Sequence, residues 1–154
     1  CFIIKIFDIG YLNLVNQFNT QMANKSKKIL TEISAGELLD KISILEIKLV
    51  KIKDKERIFE INKEYKSLIE TKESNINFND DVKKLFTQLK EVNLKLWDIE
   101  NNKRMCEKNK DFGKNFIENA RNVYISNDKR AKIKFKINKI LDSNIKEIKQ
   151  YSDY

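Results

Sequence analysis

The sequence predicts an all-α fold, a single-domain bundle of four to five amphipathic helices in which the long helices run antiparallel. Its 154 residues include no proline and only 3 glycines, so the chain has few means of making turns or interrupting a helix. Hydrophobic residues make up 41% of the chain, enough to form a core at this length. They recur at alternating steps of three and four residues, the period of a helix that buries one face.

Residues 1–21 differ in character from the rest of the chain. They begin with Cys1, and Lys5 and Asp8 break their apolar run, so no stretch reaches the roughly 18 residues of a membrane span. No basic region precedes this run and no small-residue cleavage site follows it. Met22 then opens a more typical N-terminus. We expect residues 1–21 to be a non-native upstream or flexible segment, or alternatively a strand or helix that packs on the bundle. Residues 22–154 are expected to form one helical domain.

The first helix is predicted to begin after Ser34. Glu37 follows three residues later, the capping-box pattern in which a hydroxyl and a carboxylate bind free backbone amides. An apolar stripe then runs through Leu38, Ile42, Leu45, Leu49 and Ile52. Its phase breaks at residues 54–57 and resumes over residues 58–68. The pattern predicts either one long kinked helix or two helices with a short joint.

The most regular stripe follows a polar connector that ends at Asn79, a residue type favoured as a helix N-cap. The stripe consists of Val82, Leu85, Leu89, Val92, Leu96 and Ile99. Its spacing predicts a helix that runs to about Asn109.

Two further helices are predicted after a turn at Phe112 and Gly113. The first is short and covers residues 116–124. The polar residues 126–128 are then predicted to cap a final helix, which should end near residues 142–144.

The composition limits the chemistry that the protein can perform. Its net charge of +8 indicates either an anionic partner, such as nucleic acid, acidic lipid or a phosphorylated metabolite, or the lysine-rich codon use of an AT-rich gene. The absence of His removes the usual general base and the commonest metal ligand. Cys1 and Cys106 are too few for a disulfide framework. We therefore predict no metal, no cofactor and a reducing, cytoplasmic location.

Polar side chains beside an apolar stripe indicate where a site would lie, because burying them costs free energy unless they are paired. An arc of about 80° that borders the regular stripe contains Asn93, Trp97, Glu100, Arg104 and Glu107. They form either a wall of a ligand site or an internal salt bridge, since Glu100 and Arg104 are four residues apart.

Four cations also lie near apolar faces. Arg130 and Lys134 project to the apolar side of the final helix, whereas its other lysines face outward. Lys41 and Lys48 lie one above the other at the edge of the first stripe. Snorkelling could account for each of these cations singly, and a shared anion would account for all four together.

Three of the four arginines occur in the C-terminal half of the chain. The planar guanidinium suits bidentate binding of carboxylate or phosphate, and equally a buried pair with Glu. The candidate ligand-binding residues are Lys41, Lys48, Asn93, Trp97, Glu100, Arg104, Arg121, Tyr124, Asn127, Arg130 and Lys134. Glu37 and Glu100 are the candidate acid–base groups.

Three stretches carry a resemblance to a known family: ISAGELLDKISILEIK (33–48), LKEVNLKLWDIE (89–100) and FIENARNVYISNDKRAKIKFKIN (116–138). With a weaker echo in SNIKEIKQY (143–151), they resemble the family catalogued as domain of unknown function 6165. The sequence departs from the family pattern at residues 101–103, where a more acidic and apolar continuation is expected. The resemblance implies a short, helical, stand-alone protein whose genes often lie near surface-polysaccharide or glycosyltransferase genes, and it implies no particular activity.

The leading hypothesis is a helical protein that binds an anionic small molecule, such as a sugar phosphate or nucleotide sugar, with a link to surface-polysaccharide biosynthesis. The alternative is a metal-independent enzyme that uses the same pocket through cations and carboxylates, as chorismate mutases do. ELLDKISILEIK is faintly similar to the first helix of that fold. Nucleic-acid binding by the outer lysines is less favoured because no recognised motif accompanies them, and a structural interaction module is the last alternative. The apolar residues Ile44, Ile47 and Val50 would suit a homodimer.

Overall fold

The computed structural model describes residues 29–150, which form four α-helices and no strand. The helices are α1 (Ala35–Lys51), α2 (Lys55–Asn75), α3 (Asp80–Asn109) and α4 (Lys114–Ile140). The predicted all-α bundle is confirmed. None of the helices in residues 29–150 has the length and apolar character needed to cross a bilayer.

The contacts of the chain divide it into two units, Cys1–Thr31 and Glu32–Tyr154. Most of the described residues belong to the second unit. The prediction that residues 1–21 are a non-native or flexible segment lies outside the described residues. It stays a prediction, as does the boundary at residue 22.

Side-chain caps start three of the four helices. Ser34 Oγ accepts a hydrogen bond from the Glu37 backbone N–H at 3.2 Å, Asp54 caps α2 in the same way, and Asn79 caps α3. The break in the stripe at residues 54–57 is therefore a joint between two helices, one of the two predicted arrangements. The capping box also predicts a hydrogen bond from the Ser34 backbone N–H to the Glu37 carboxylate. This part of the prediction is wrong, because the Glu37 carboxylate binds Lys134.

The predicted break at residues 126–128 is also wrong, since α4 runs unbroken from Lys114 to Ile140. Ser126 is only 4% exposed, so its small side chain lies on the buried face of one continuous helix. Tertiary packing overrides the local capping signal here. The predicted end of the helix is confirmed, because α4 stops at Ile140 and Asp142 adopts a positive φ of 45°.

The core lies between α1, α3 and α4. Its buried apolar residues are Leu38, Leu39, Ile42, Val82, Leu89, Val92, Leu96, Ile133 and Ile137. α3 and α4 run antiparallel, because Asn93 and Arg130 meet near their middle and Cys106 and Asn115 meet near their connecting turn. α2 packs on α1 and has no fully buried residue. Burying a Leu or Ile side chain contributes about 1.5–3 kcal/mol to the free energy of unfolding. Packing among α1, α3 and α4 therefore supplies most of the stability of the fold.

α1 and α4 are in close contact at Gly36. The Gly36 N–H donates a hydrogen bond to Asn138 Oδ1 at 2.6 Å, and a Cβ at this position would lie 2.6 Å from the Lys134 carbonyl oxygen. No side chain fits in that space. The contact therefore requires glycine, and it fixes the N-terminal end of α1 against α4.

Candidate functional site

A cavity of about 370 Å³ opens between α1, α3 and α4, within the size range of small-molecule sites. α1 contributes one wall, α4 contributes Arg130, and α3 forms the floor over more than two turns. The residues that line it are Ile44, Ile47, Lys48, Asn93, Leu96, Trp97, Glu100, Asn101, Arg104 and Arg130. The cavity brings together six of the predicted site residues: Lys48, Asn93, Trp97, Glu100, Arg104 and Arg130.

A buried polar network closes the inner end of the cavity. The side-chain amide of Asn93 donates hydrogen bonds to Asp40 Oδ1 at 2.8 Å and to Ser43 Oγ at 2.7 Å. Ser43 Oγ in turn donates to the Asp40 carbonyl oxygen at 2.8 Å. Asp40, Ser43 and Asn93 are each at most 4% exposed, and such polar groups are stable inside a protein only when paired.

Arg130 lies between this network and the open cavity. Its Nε is 4.0 Å from Asp40 Oδ2, and its Nη1 donates to Asn93 Oδ1 at 3.5 Å. Both contacts are long compared with a charge-assisted hydrogen bond of about 2.8 Å. A guanidinium has five N–H donors, so most of those of Arg130 remain available to a ligand.

Two further donors line the cavity from other helices. Within residues 29–150, neither the Lys48 ammonium nor the Trp97 indole N–H makes a hydrogen bond or ion pair. Both groups can only donate. Together with Arg130 they present a surface that matches a ligand rich in acceptor oxygens.

The outer end of the cavity carries mixed charge. Arg104 Nη1 binds the Glu100 carbonyl oxygen at 2.9 Å and its carboxylate at 3.4 Å, and the Lys103 ammonium lies 3.3 Å from the same carboxylate. The predicted i, i+4 pair between Glu100 and Arg104 is therefore present. Asn101 lies beside it on the cavity lining.

Lys134 lies outside the cavity, in a cluster with Glu37 and Glu147, and the charge of Asp40 also acts on it. Its side chain is 7% exposed, and its Nζ is 2.5 Å from Glu37 Oε2 and 3.0 Å from Glu147 Oε2. Burial disfavours the ammonium form, but the hydrogen bonds to Glu37 and Glu147 outweigh it and raise the pKa of Lys134. The hydrogen bond from Lys134 is the main cause that lowers the pKa of Glu147.

The remaining predicted site residues do not line the cavity. Lys41, Arg121 and Tyr124 are exposed, and Asn127 is partly buried on α4. Glu37, a candidate acid–base group, is engaged by Lys134. The apolar residues predicted to form a dimer face do not share one environment, since Ile47 is buried within the protein and Val50 is 69% exposed.

Sequence reasoning missed Asp40 and Ser43. Both lie on a second stripe of α1, formed by Gly36, Asp40, Ser43 and Ile47. These residues step by four, three and four, so the helical period also marks them as one face. The signal that could have identified them is a row of small and polar residues beside the apolar stripe. A search for hydrophobic residues alone does not detect it.

Among residues 29–150 no three Cys, Asp or Glu residues are grouped so that they could hold a metal ion. In the comparison with known families, the model of a family described as Family of unknown function (DUF6165) matches residues 29–153. No curated protein and no solved structure matches the chain significantly. The family match confirms the resemblance in the three sequence stretches.

Proposed function

Because the chain belongs to the family of unknown function DUF6165, its role has to be argued from its own site, and we propose that it binds an anionic small molecule in the cavity between α1, α3 and α4. The ligand class that suits this cavity is a sugar phosphate or a nucleotide sugar. A role in surface-polysaccharide biosynthesis is compatible with that class and forms part of the proposal.

The observation that carries the proposal is the convergence of three cations from three helices on one cavity. Lys48 comes from α1, Arg104 from α3 and Arg130 from α4, and Glu100 is the one carboxylate that residues 29–150 contribute to the lining. A cluster of cations is unfavourable unless an anion balances it. A phosphate or carboxylate group would do so, and an Arg fork binds either in a bidentate manner.

The rest of the lining favours a ligand with a ring and hydroxyl groups. Trp97 lies in the cavity beside Ile44 and Leu96, and an aromatic face packs well against the apolar face of a sugar ring or against a base. Glu100 and Asn101 offer acceptors and donors for hydroxyl groups. An inorganic anion would use only part of this surface.

A metal-independent enzyme is the second candidate, and the position of Glu100 favours it. Glu100 lines the cavity next to Arg104, where a carboxylate can exchange a proton with a bound ligand while cations stabilise developing charge. Glu37 no longer qualifies for this role, since it is engaged by Lys134. Glu100→Gln would then retain ligand binding and abolish turnover.

The chain contains a single Trp, and this residue lines the cavity, so its fluorescence reports occupation of the site. We expect glucose 1-phosphate and UDP-glucose to change the Trp97 emission in a saturable way, and glucose to have no effect. Arg130→Met should weaken binding about 10- to 100-fold, since a hydrogen bond to a charged group contributes about 1.5–3 kcal/mol.

Arg121→Met is the matched control, because Arg121 is exposed on the same helix and lies outside the cavity lining. It should bind like the wild type. A fluorescence signal that no phosphorylated sugar changes would refute the proposal, as would equal loss of binding in both variants.

A further inference from the structure

Asp40 is a buried carboxylate, and a site that only binds anions does not require one. It lies behind Arg130, at the inner end of the cavity, and is not part of the lining itself. Its side chain is 6% exposed, so its negative charge requires a nearby cation. A site built only to attract anions would gain from a neutral residue here, because Asp40 repels any anion that reaches Arg130.

The hydrogen bonds around Asp40 specify the orientation of its neighbours. Asn93 uses its NH₂ group on Asp40 and Ser43, so its carbonyl oxygen is the group left to face Arg130. Asp40 Oδ1 is satisfied by Asn93, and Oδ2 faces Arg130 Nε. The guanidinium thus meets one acceptor on each of two sides, and its other edge is directed to the cavity.

We infer that Asp40 is a positioning residue: together with Asn93 it holds the guanidinium of Arg130 at the inner end of the cavity, so that the anionic group of a ligand binds there while its ring lies on Trp97. This inference rests on the proposed function and deepens it. The site selects a ligand whose anionic group and ring are a set distance apart, as in a sugar phosphate, over small anions in general.

Positioning and charge have opposite effects when Asp40 is changed to Asn. Loss of the negative charge strengthens the attraction for every anion. An Asn at position 40 also presents an N–H donor to either Arg130 or Asn93, so one of the two contacts becomes unfavourable and Arg130 loses its fixed orientation. That loss weakens only ligands that must contact Arg130 and Trp97 at the same time.

The first test needs no ligand. The Nε–Hε groups of the four arginines can be observed in a ¹⁵N NMR spectrum, and the ¹⁵N{¹H} NOE measures their mobility. We expect a higher NOE for Arg130 than for the exposed Arg57 and Arg121 in the wild type. In Asp40→Asn the NOE of Arg130 should fall to their level. Equal mobility of all three in the wild type would overturn the inference without recourse to any variant.

The second test compares affinities for glucose 1-phosphate and for inorganic phosphate by Trp97 fluorescence and calorimetry. In Asp40→Asn the ratio of the two affinities should fall about tenfold or more, while the affinity for inorganic phosphate stays the same or rises. Asp98→Asn is the matched control, since Asp98 is an exposed carboxylate paired with Lys51 and does not line the cavity. It should leave the ratio unchanged.

The outcomes separate this inference from the proposed function. If the wild type binds neither probe, the proposed function fails, and the NOE of Arg130 still decides whether Asp40 positions it. If the wild type prefers glucose 1-phosphate and Asp40→Asn keeps the same preference, the function stands and the positioning role is wrong. A change confined to thermal stability would likewise assign Asp40 a structural role and overturn the inference.

Discussion

Arg130 and Lys134 lie one turn apart on α4, and their surroundings differ. Lys134 is enclosed, with a side chain that is 7% exposed and two carboxylates within 3.0 Å. Arg130 is 27% exposed, its nearest carboxylate oxygen is 4.0 Å away, and it faces a cavity. Both residues are cations on the apolar side of a helix. Lys134 forms a closed ion-pair cluster, whereas Arg130 keeps hydrogen-bond donors available.

The difference shows that the partners, and not the position on the helix, decide the role of such a cation. Glu37 of α1 and Glu147 of the C-terminal segment both bind Lys134, so this residue ties three parts of the chain together. Arg130 meets one carboxylate that is already hydrogen-bonded to Asn93. Lys134 therefore contributes mainly to stability, and Arg130 is the residue that can serve a ligand.

The largest expected effect comes from Lys134→Met. It leaves Glu37 and Glu147 without their shared cation and should lower the free energy of unfolding by about 3 kcal/mol, the lower part of the range for breaking a buried pair, because both carboxylates keep some contact with water. Arg130→Met should cost only about 1 kcal/mol, since Asp40 keeps its bond to Asn93 and the charge of Lys134 still acts on it. Urea denaturation of both variants measures the contrast, and equal losses would contradict it.

A smaller loss is expected from Gly36→Ala, at the same end of α1 as the Lys134 cluster. The added Cβ would lie 2.6 Å from the Lys134 carbonyl oxygen and 2.8 Å from Asn138 Oδ1, and overpacking of this kind costs about 2 kcal/mol. Gly113→Ala is the control, because its Cβ would meet only the end of the Asp111 side chain, at 3.2 Å. Calorimetric melting should show a clear drop for the first variant and little change for the second.

The smallest effect concerns pH. The lowered pKa of Glu147 means that its pairing with Lys134 stabilises the fold above the ordinary carboxyl value of 4.5 and is lost as the pH falls through the lowered value. The raised pKa of Lys134 means that its pairing contributes fully to stability below the ordinary value of 10.5, and that this contribution is lost as the pH rises through the raised value. Because Glu147 is 44% exposed, Glu147→Gln should cost only about 0.5 kcal/mol at neutral pH.

This cost should shrink as the pH falls below 4.5 and vanish once the pH is below the lowered pKa of Glu147. Denaturation of wild type and Glu147→Gln at several pH values measures it, with Glu64→Gln, exposed on α2, as the control. A difference that persists unchanged into acid would show that Glu147 acts by packing and not by charge.

The periodicity of apolar residues predicted most of the fold, because one buried face per helix is a local property of the sequence. The caps at Ser34 and Asn79 and the extent of α3 followed from the same local rules. The continuous α4 did not, since whether Ser126 starts a helix or lies inside one depends on the helix packed against it. Local preference is weak compared with that packing.

The site could be predicted only in part. Helical spacing placed Asn93, Trp97, Glu100 and Arg104 on one face of α3, and the cavity includes all four. Which of the predicted cations joined them depended on how α1 and α4 cross, and that is set by Gly36 and Asn138, more than 100 residues apart in the sequence. Spacing within one helix carries no information about such a crossing.

The absence of a side chain at Gly36 also has a genetic consequence. Asp40 lies one turn beyond Gly36 on α1, and Arg130 lies one turn before Lys134 on α4, about 6 Å along each axis. The contact between Gly36 and the Lys134 carbonyl oxygen therefore sets how Asp40 is aligned with Arg130. A selection for variants that lose ligand recognition should recover Gly36 as well as Arg130, although no ligand in the cavity touches Gly36.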